Sequence, residues 1–443
     1  VGATGLRSSQ TALNTTAHNL SNVNTEGYTR QQITFADSTY ANVFSKSLNK
    51  GKYGLGVDID AISRIRNEFI DRSYRTESSR LGFYESQANA VYEVEDWFGE
   101  MQGVTYQEHI TNLYNAVNEL TKNPTSTIAR SSLIQNATAF IDRSEAIYSG
   151  LKDYQVTLNT EVNNMVEKIN SLGQKIYNLN KGIVKVEAEG VERANDLRDS
   201  RDLALDELSK YIDIDYYETK DGEVIVSAEN VPFITKNDIA KMSVREEGTY
   251  GLLIPQWEGY QQDVYNFDKQ ANNANDTDKG KLKGLLIARG VIEVNYTDIP
   301  VMPERADYDL TTEQGMAEYN SAMDAYQQKQ DYYNKYIEPS AILSAIAGFD
   351  KLVNGIVTAM NDVLCPETTM DTTKELTDAD GNILKAEKYV YNASTHDVLY
   401  DSHGNVVAGK ENGDGTYSYE ASEKLYVDAN QEETENIDSM TYK

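Results

Sequence analysis

From Ile147 onward, apolar residues recur at alternating steps of three and four almost without interruption: Leu151, Tyr154, Leu158, Val162, Met165, Ile169, Leu172, Ile176, Leu179, Ile183 and Val186. A strand alternates every second residue, so only a helix places this set on one face. Counted from about residue 126, the pattern predicts one helix roughly 90 Å long. Gly173 and Gly182 weaken it without breaking the period. The stripe is narrow, as in a coiled-coil seam, and long helices with narrow stripes make bundles or rods.

Shorter stretches repeat the pattern. Over residues 3–23, Leu6, Leu13 and Leu20 recur every seven positions beside the small Ala12, Thr16 and Ala17. A helix of about 30 Å with a single seam is marginal alone in water and needs a partner. Asn19, Asn22 and Asn24 followed by Gly27 give its stop signal. Residues 67–100 carry Ile70, Tyr74, Leu81, Tyr84, Ala88, Val91 and Phe98 on one stripe, interrupted by Glu77 and Glu95. A helix over 105–122 aligns Tyr106, Ile110, Leu113, Val117 and Leu120 and stops before Pro124. Another, about 194–211, carries Leu197, Leu205, Leu208 and Ile212. Met316, Tyr319, Met323, Tyr326, Tyr333 and Ile337 line a later one; Ile342, Ile346, Phe349, Val353, Ile356, Met360 and Val363 line the last.

Strand patterns separate these helices. Val57, Ile59 and Ala61 alternate weakly, and Val224, Val226 and Ala228 alternate after the turn Lys220-Asp221-Gly222. Residues 266–281 are rich in Asn, Asp and Lys and read as a solvated loop. Beyond Pro366 the chain turns to short strands and Gly turns, with Asp378–Ile383 echoed by Asp401–Val406 and a further turn at Asn412–Gly415. The expected fold is mainly α with β subdomains, an elongated multi-domain rod of long coiled-coil-like helices with a β-rich outer domain toward the C-terminal end. The expected division is an N-terminal axial helix (1–30), an extended β connector (31–66), a helical rod domain (67–211 with 281–364), a β-rich insert (212–280) and an incomplete outer β domain (365–443).

Chemistry is sparse. With 41 Lys and Arg against 70 Asp and Glu, the net charge of −29 repels nucleic acid and anionic lipid. No run reads as a transmembrane helix, and residues 1–30 lack the basic start and apolar block of a cleavable leader. A lone cysteine, Cys365, excludes an intrachain disulfide. His18, His109, His396 and His403 have no metal-ligand spacing, although Asp397 and Asp401 lie beside the last two. Gly404–Lys410 mimics a phosphate loop, but Glu411 stands where Ser or Thr would bind magnesium. Asp378–Asn382 lacks the ladder and closing Glu of a calcium loop. Neither a catalytic site, nor a metal site, nor a cofactor is expected. The 31 tyrosines suit thin domains and subunit contacts, since each ring packs while its hydroxyl stays wet.

Residues 12–31 are specific. Asn19-Leu20-Ser21-Asn22-Val23-Asn24-Thr25-Glu26-Gly27-Tyr28 strongly resembles the N-terminal signature of bacterial flagellar axial proteins, and the continuation Thr29-Arg30-Gln31 resembles the hook-associated protein 1 family. Asn195–Asp202, Asp221-Gly222 and Gly280–Leu286 with Arg289 resemble further stretches of that family, in the same order. The resemblance covers about 3–289, and the helix 340–364 more loosely; 291–339 departs from it and looks inserted.

The resemblance implies a non-catalytic adaptor at the junction of flagellar hook and filament, with terminal helices paired as a coiled coil. Leu6, Leu13 and Leu20 would form half of that seam, within a subunit-interaction motif completed by Asn19, Asn22, Asn24, Thr25, Gly27, Tyr28, Arg30 and Gln31. It implies self-association in a flagellar ring, contacts with hook protein and with a second junction protein on the filament side, and an export chaperone bound through a C-terminal helix outside this chain. It implies an extracellular place, reached through the flagellar type III system, with no nucleic acid or membrane partner. The alternatives are another axial protein of hook or rod, against which the long helix and Thr29-Arg30-Gln31 argue, and an enzyme or adhesin domain on a flagellar scaffold.

Overall fold

The computed structural model describes residues 1–43, 51–99, 105–188, 193–248, 251–267 and 271–364, with short strand segments between 367 and 442. In chain order these form α1 (Gly2–Ser21), β1 (Gln31–Asp37), β2 (Tyr40–Val43), β3 (Gly51–Gly54), β4 (Val57–Arg64), α2 (Glu68–Phe98), α3 (Tyr106–Lys122) and α4 (Thr127–Glu187). There follow α5 (Asn195–Tyr211), β5 (Ile214–Glu218), β6 (Val224–Ala228), β7 (Val231–Ile234), β8 (Met242–Glu247), β9 (Leu252–Trp257), β10 (Gln262–Asp263), α6 (Lys281–Arg289), α7 (Glu313–Tyr332) and α8 (Ala341–Leu364). The protein is mainly α with small antiparallel sheets. Two compact units divide it: Val1–Glu95 with Asp153–Glu293 and Asn334–Leu343, and Asp96–Lys152 with Val294–Tyr333 and Ser344–Lys443.

The first unit is built on the second half of α4. Leu158, Val162, Val166, Ile169, Leu172, Ile176 and Ile183 are buried, together with Leu205 and Leu208 of α5, Phe233 of β7 and Trp257 of β9. Each such aliphatic side chain contributes about 1.5–3 kcal/mol by leaving water. At Gly173 a Cβ would strike the Phe233 ring, so the glycine that reads as a helix weakness is the seat of an aromatic ring. Two three-stranded antiparallel meanders, β5-β6-β7 and β8-β9-β10, pack here. The Lys220–Gly222 turn joins β5 to β6 as its sequence predicts, with Gly222 at φ 85°.

Three asparagines of α4 hold these sheets. Asn170 accepts from the Met242 N–H at 3.0 Å and donates to the Met242 carbonyl at 2.8 Å. Asn180 does the same to Val224, at 3.0 and 2.8 Å. Asn159 accepts from Leu253 N–H at 2.7 Å and donates to the Gly251 carbonyl at 2.9 Å. Spacings of eleven and ten residues are close to three helical turns, so the amides form a ladder on one face.

The α2 helix departs from the simplest reading of its stripe. Ile70, Tyr74, Leu81, Tyr84 and Val91 are exposed; the buried face is Arg75, Ser78, Ser79, Gly82, Phe83, Ser86 and Ala90. Backbones meet there at van der Waals distance: a Cβ on Gly82 would strike the Lys210 carbonyl, and one on Gly284 the Phe83 backbone. Ser86 donates to the Lys281 carbonyl at 3.1 Å and Gln87 to that of Gly284 at 3.0 Å. The expected solvated loop at 266–281 also differs, because Asp278 is buried and accepts from the Tyr84 hydroxyl at 2.8 Å.

The second unit holds an aromatic cluster. Tyr106 of α3 lies 5.7 Å from Phe140 and 5.1 Å from Phe349 between ring centroids, and Phe98 lies 5.3 Å from Phe349. Burial pushes the Tyr106 phenol up to about 12, with Ser144 sharing its hydrogen at 3.2 Å. Over Ala341–Asn361, α8 is long and apolar enough to cross a membrane by composition, which the sequence reading did not register. Its Ile346, Ala347, Phe349, Val353 and Val357 are buried as a core face, and Asp350 accepts from the Tyr296 N–H at 2.8 Å. In segment 291–339, α7 is capped by Thr312 and buries only Gly315; Tyr319 stacks edge-on to Tyr308 at 5.5 Å.

Beyond Leu364, strands Glu375–Thr377 and Ile383–Lys385 pair antiparallel on either side of the turn expected at Asp378–Asn382. That turn, Cys365, His396, Asp397, Asp401, His403, Gly404–Ala408 and Asn412–Gly415 lie outside the described residues.

Candidate assembly surface

Two faces of α1 do different things. Thr4 and Ser8 donate to the carbonyls of Leu55 and Val57 at 3.4 and 3.3 Å, so a face of small polar side chains lies against the β4 edge. Opposite it, Leu6, Leu13 and Leu20 are 73, 64 and 74% exposed, and Val23 continues the apolar line. Aligned exposed leucines of this kind make an apolar stripe, the type of surface that marks interaction sites in other proteins.

The signature fixes the base of α1. Asn19 accepts from the Gln31 N–H and donates to the Gln31 carbonyl, both at 2.9 Å. Tyr28 donates to Asn19 Oδ1 at 2.7 Å, and its oxygen lies 2.9 Å from His18 Nδ1. Burial raises the Tyr28 phenol, and the charges of Asp196 and Asp199 raise it further. Asn22 donates to the His18 carbonyl at 3.1 Å and accepts from Thr25 Oγ1 at 3.2 Å, closing the helix end. Gly27 turns at φ 78°, where a Cβ would lie 3.0 Å from Leu203 Cβ. Asn24 and Arg30 are exposed, and the Arg30 carbonyl accepts from Ile65 N–H at 3.0 Å. The motif thus separates into an outward apolar seam and an inward polar clasp.

The first turns of α5 form the counterpart, which the sequence reading noted only as a family stretch. Asp199 accepts from the Thr29 N–H at 3.1 Å and from Arg64 at 2.8 Å; Asp202 accepts from Arg64 at 2.7 Å. Asn195 donates to the Ile62 carbonyl at 3.0 Å, and Gln31 reaches Asp196 at 3.4 Å. On the other side Arg198 takes Glu187 with two nitrogens at 2.8 and 2.7 Å, and buried Arg201 bonds Asn180, the Gly222 carbonyl and Glu218. Burial pushes Asp202 up, but the guanidiniums of Arg66 and Arg64 outweigh it and hold the carboxyl low. The Arg198 bond holds Glu187 down at about 2, against a smaller upward push from burial. Alternating Asp and Arg over 196–206, with Arg64 and Arg66, was the available signal. No group of three or more His, Cys, Asp or Glu stands ready for a metal among the described residues.

An exposed seam on a helix whose base is clasped into the domain defines a helix-presenting structural protein. Residues 1–29 match the family described as flagella basal body rod protein, the class of flagellar axial proteins. Residues 91–324, more than half of the chain, match the flagellar hook-associated protein FlgK helical domain. The chain belongs to this family of structural flagellar proteins.

It is 30% identical over 310 residues to flagellar hook-associated protein 1 of Bacillus subtilis (strain 168), covering 68% of this chain and 61% of that protein. With the protein of the same name from Escherichia coli (strain K12) the identity is 26% over 216 residues, covering 48% and 38%. The chain therefore spans less than two thirds of the length of these curated relatives. A solved structure, that of the flagellar hook junction protein FlgK from Burkholderia pseudomallei, aligns at a TM-score of 0.40 and 18% identity, over 50% of this chain and 38% of that one.

Proposed function

We propose that this chain is part of a non-catalytic adaptor at the hook–filament junction of the bacterial flagellum. The observation that carries the reading is the match to the hook-associated helical domain across more than half of the chain. The outward leucines of α1 support the mechanism: Leu6, Leu13 and Leu20 enter a coiled-coil seam, and the clasp of Asn19, Tyr28 and Gln31 sets the angle at which α1 leaves the domain. The exposed stripe of α2 is a second helical contact of the same kind.

In this reading the subunits form a ring, contact hook protein on one side and a second junction protein on the other, and use an export chaperone for passage through the type III channel to the cell exterior. The domain division is that of an axial helix (1–30), a β connector (31–66), a helical domain (67–211 with 281–364), a β-rich insert (212–280) and an outer β domain (365–443).

Deleting the gene and imaging the cells by electron microscopy, with flagellin assayed in the medium, tests the proposal. Hooks without filaments and shed flagellin are expected. Loss of the hooks as well would move the protein down the axis to hook or rod. Normal filaments in a strain without a second copy would overturn the reading.

A further inference from the structure

The turn between β6 and β7 breaks a local rule. Ala228 pairs with Val231, and the two residues between them, Glu229 and Asn230, sit at φ 47° and 65°. Such a tight turn favours Asn-Gly, and a glutamate in the left-handed region is strained. The Glu229 side chain is nonetheless largely buried, at 14% exposed. Its Oε1 has no hydrogen-bond partner among the described residues, and its Oε2 stands 4.0 Å from Lys283 Nζ of α6, the outer limit of an ion pair.

The surroundings do not favour a charge there. Tyr265, which follows β10, is buried, and its hydroxyl has no partner among the described residues. Lys283 lies 5.9 Å from the Tyr265 ring and so divides itself between the ring and Glu229. Asp213, which precedes β5, adds a second carboxylate facing Glu229. Lys279, ahead of α6, is drawn away: it lies 2.7 Å from Asp276 and 3.7 Å from Asp213. Asp215 faces Asp213 in turn. A buried carboxylate with one partnerless oxygen and a like charge beside it is favoured in its neutral form.

We propose that Glu229 is a pH-sensitive latch, whose neutral carboxyl seats the β6–β7 turn on α6 and whose ionisation loosens the β5-β6-β7 sheet. Burial raises the carboxyl most; Lys283 opposes it, the Asp213 charge adds to the rise, and the Asp213 backbone and Lys279 oppose it more weakly, leaving it at about 7. A group raised in the folded state stabilises fully below its unfolded value, and that contribution is lost as pH rises through the folded one. The window here runs from about 4.5 to about 7.

Amide hydrogen exchange on the full chain, corrected for intrinsic rates, reads the latch at Val226 and Ala228. From pH 5 to pH 8 the opening constant should rise about 10- to 100-fold in the native chain. In Glu229→Gln, which keeps the shape and cannot ionise, it should stay flat. A native chain flat over that range, or a variant that follows the native curve, overturns the proposal. Where Glu229→Gln fails to fold, carbon NMR titration of the native Glu229 carboxyl decides: a midpoint near 7 supports the latch and one near 4.5 refutes it.

Discussion

Asn19 holds Gln31 by both of its backbone groups, accepting from the N–H and donating to the carbonyl at 2.9 Å each. One amide thereby does for the outer edge of β1, whose other edge pairs with β4, what a further strand would do. Asn19→Ala frees both groups and should cost about 1–2 kcal/mol of local stability. Asn19→Asp keeps the acceptor and loses the donor, so a smaller loss is expected. Limited proteolysis after Ser21 should speed up in both, with the global unfolding midpoint nearly unchanged. Native-like protection in Asn19→Ala would show that the clasp does not hold α1.

Gly27 is fixed on two counts, its φ of 78° and the lack of room for a Cβ, which would lie 3.0 Å from Leu203 Cβ. Gly27→Ala should destabilise by about 1–3 kcal/mol. Adding Leu203→Ala to it removes the Cδ2 and Cγ contacts at 3.1 and 3.3 Å but keeps Leu203 Cβ, so it relieves part of the steric cost and leaves the backbone part. The coupling in a double-mutant cycle, read by denaturant unfolding, should therefore be partial; full additivity would deny the contact.

The asparagine ladder makes a contrast within one helix. Asn170 bonds both backbone groups of Met242, whereas Asn178 is exposed and, among the described residues, accepts from its helix neighbour Gln174. Asn170→Ala should cost about 1–3 kcal/mol because it strands two buried polar groups. Asn178→Ala should stabilise by a few tenths of a kcal/mol, since alanine is the better helix former. Equal effects in thermal unfolding would mean that the rungs contribute nothing beyond propensity.

These same residues mark what the sequence displays and what it conceals. The second half of the α4 stripe was legible because its partners, Leu205, Phe233 and Trp257 among them, belong to the same chain and the stripe is buried from Leu158 to Ile183. The stripes of α1 and α2 follow the same period, yet Leu13 and Leu81 lie in the open. Periodicity specifies a seam and says nothing of which molecule fills it. The inward faces were concealed for the converse reason. Ser79, Gly82 and Ser86 on α2, like the asparagines on α4, make contact through backbone approach and hydrogen bonds, to which hydropathy is blind. Of the signature, the helix stop at Asn22 was readable, whereas the clasp of Asn19 on Gln31 needs the chain to reverse between them.

Glu187 supplies an acid-side prediction. Its bond to Arg198 holds the carboxyl at about 2, so its stabilisation is present above 4.5 and is lost as pH falls toward 2. The shift corresponds to about 3 kcal/mol at most. Arg198→Met should remove that part of the acid dependence, together with the weaker pairing to Glu218. Stability measured in urea at pH 5 and pH 2.5 checks it: the gap between the two should narrow in the variant, and an unchanged gap would place the acid sensitivity elsewhere.

The apolar seams give the prediction that bears most directly on assembly. Leu13 is 64% exposed and Leu81 is 68% exposed, so neither contributes a buried side chain to the fold of this chain. Leu13→Asp and Leu81→Asp should therefore leave the isolated chain within about 0.5 kcal/mol of the native stability, the usual range for surface substitutions. In a seam, by contrast, each puts a carboxylate into a closed apolar contact with no cation opposite, and in the proposed ring repeats the fault in every subunit. Complementation of a deletion strain should then fail for Leu13→Asp, with hooks lacking filaments, although the protein is made and exported. Leu13→Ile, which keeps the apolar surface, should restore swimming. If Leu13→Asp swims normally, the α1 seam has no partner in the flagellum. If it instead unfolds the isolated chain, the leucine belongs to this chain's own core, and the division of α1 into an outward seam and an inward clasp is wrong.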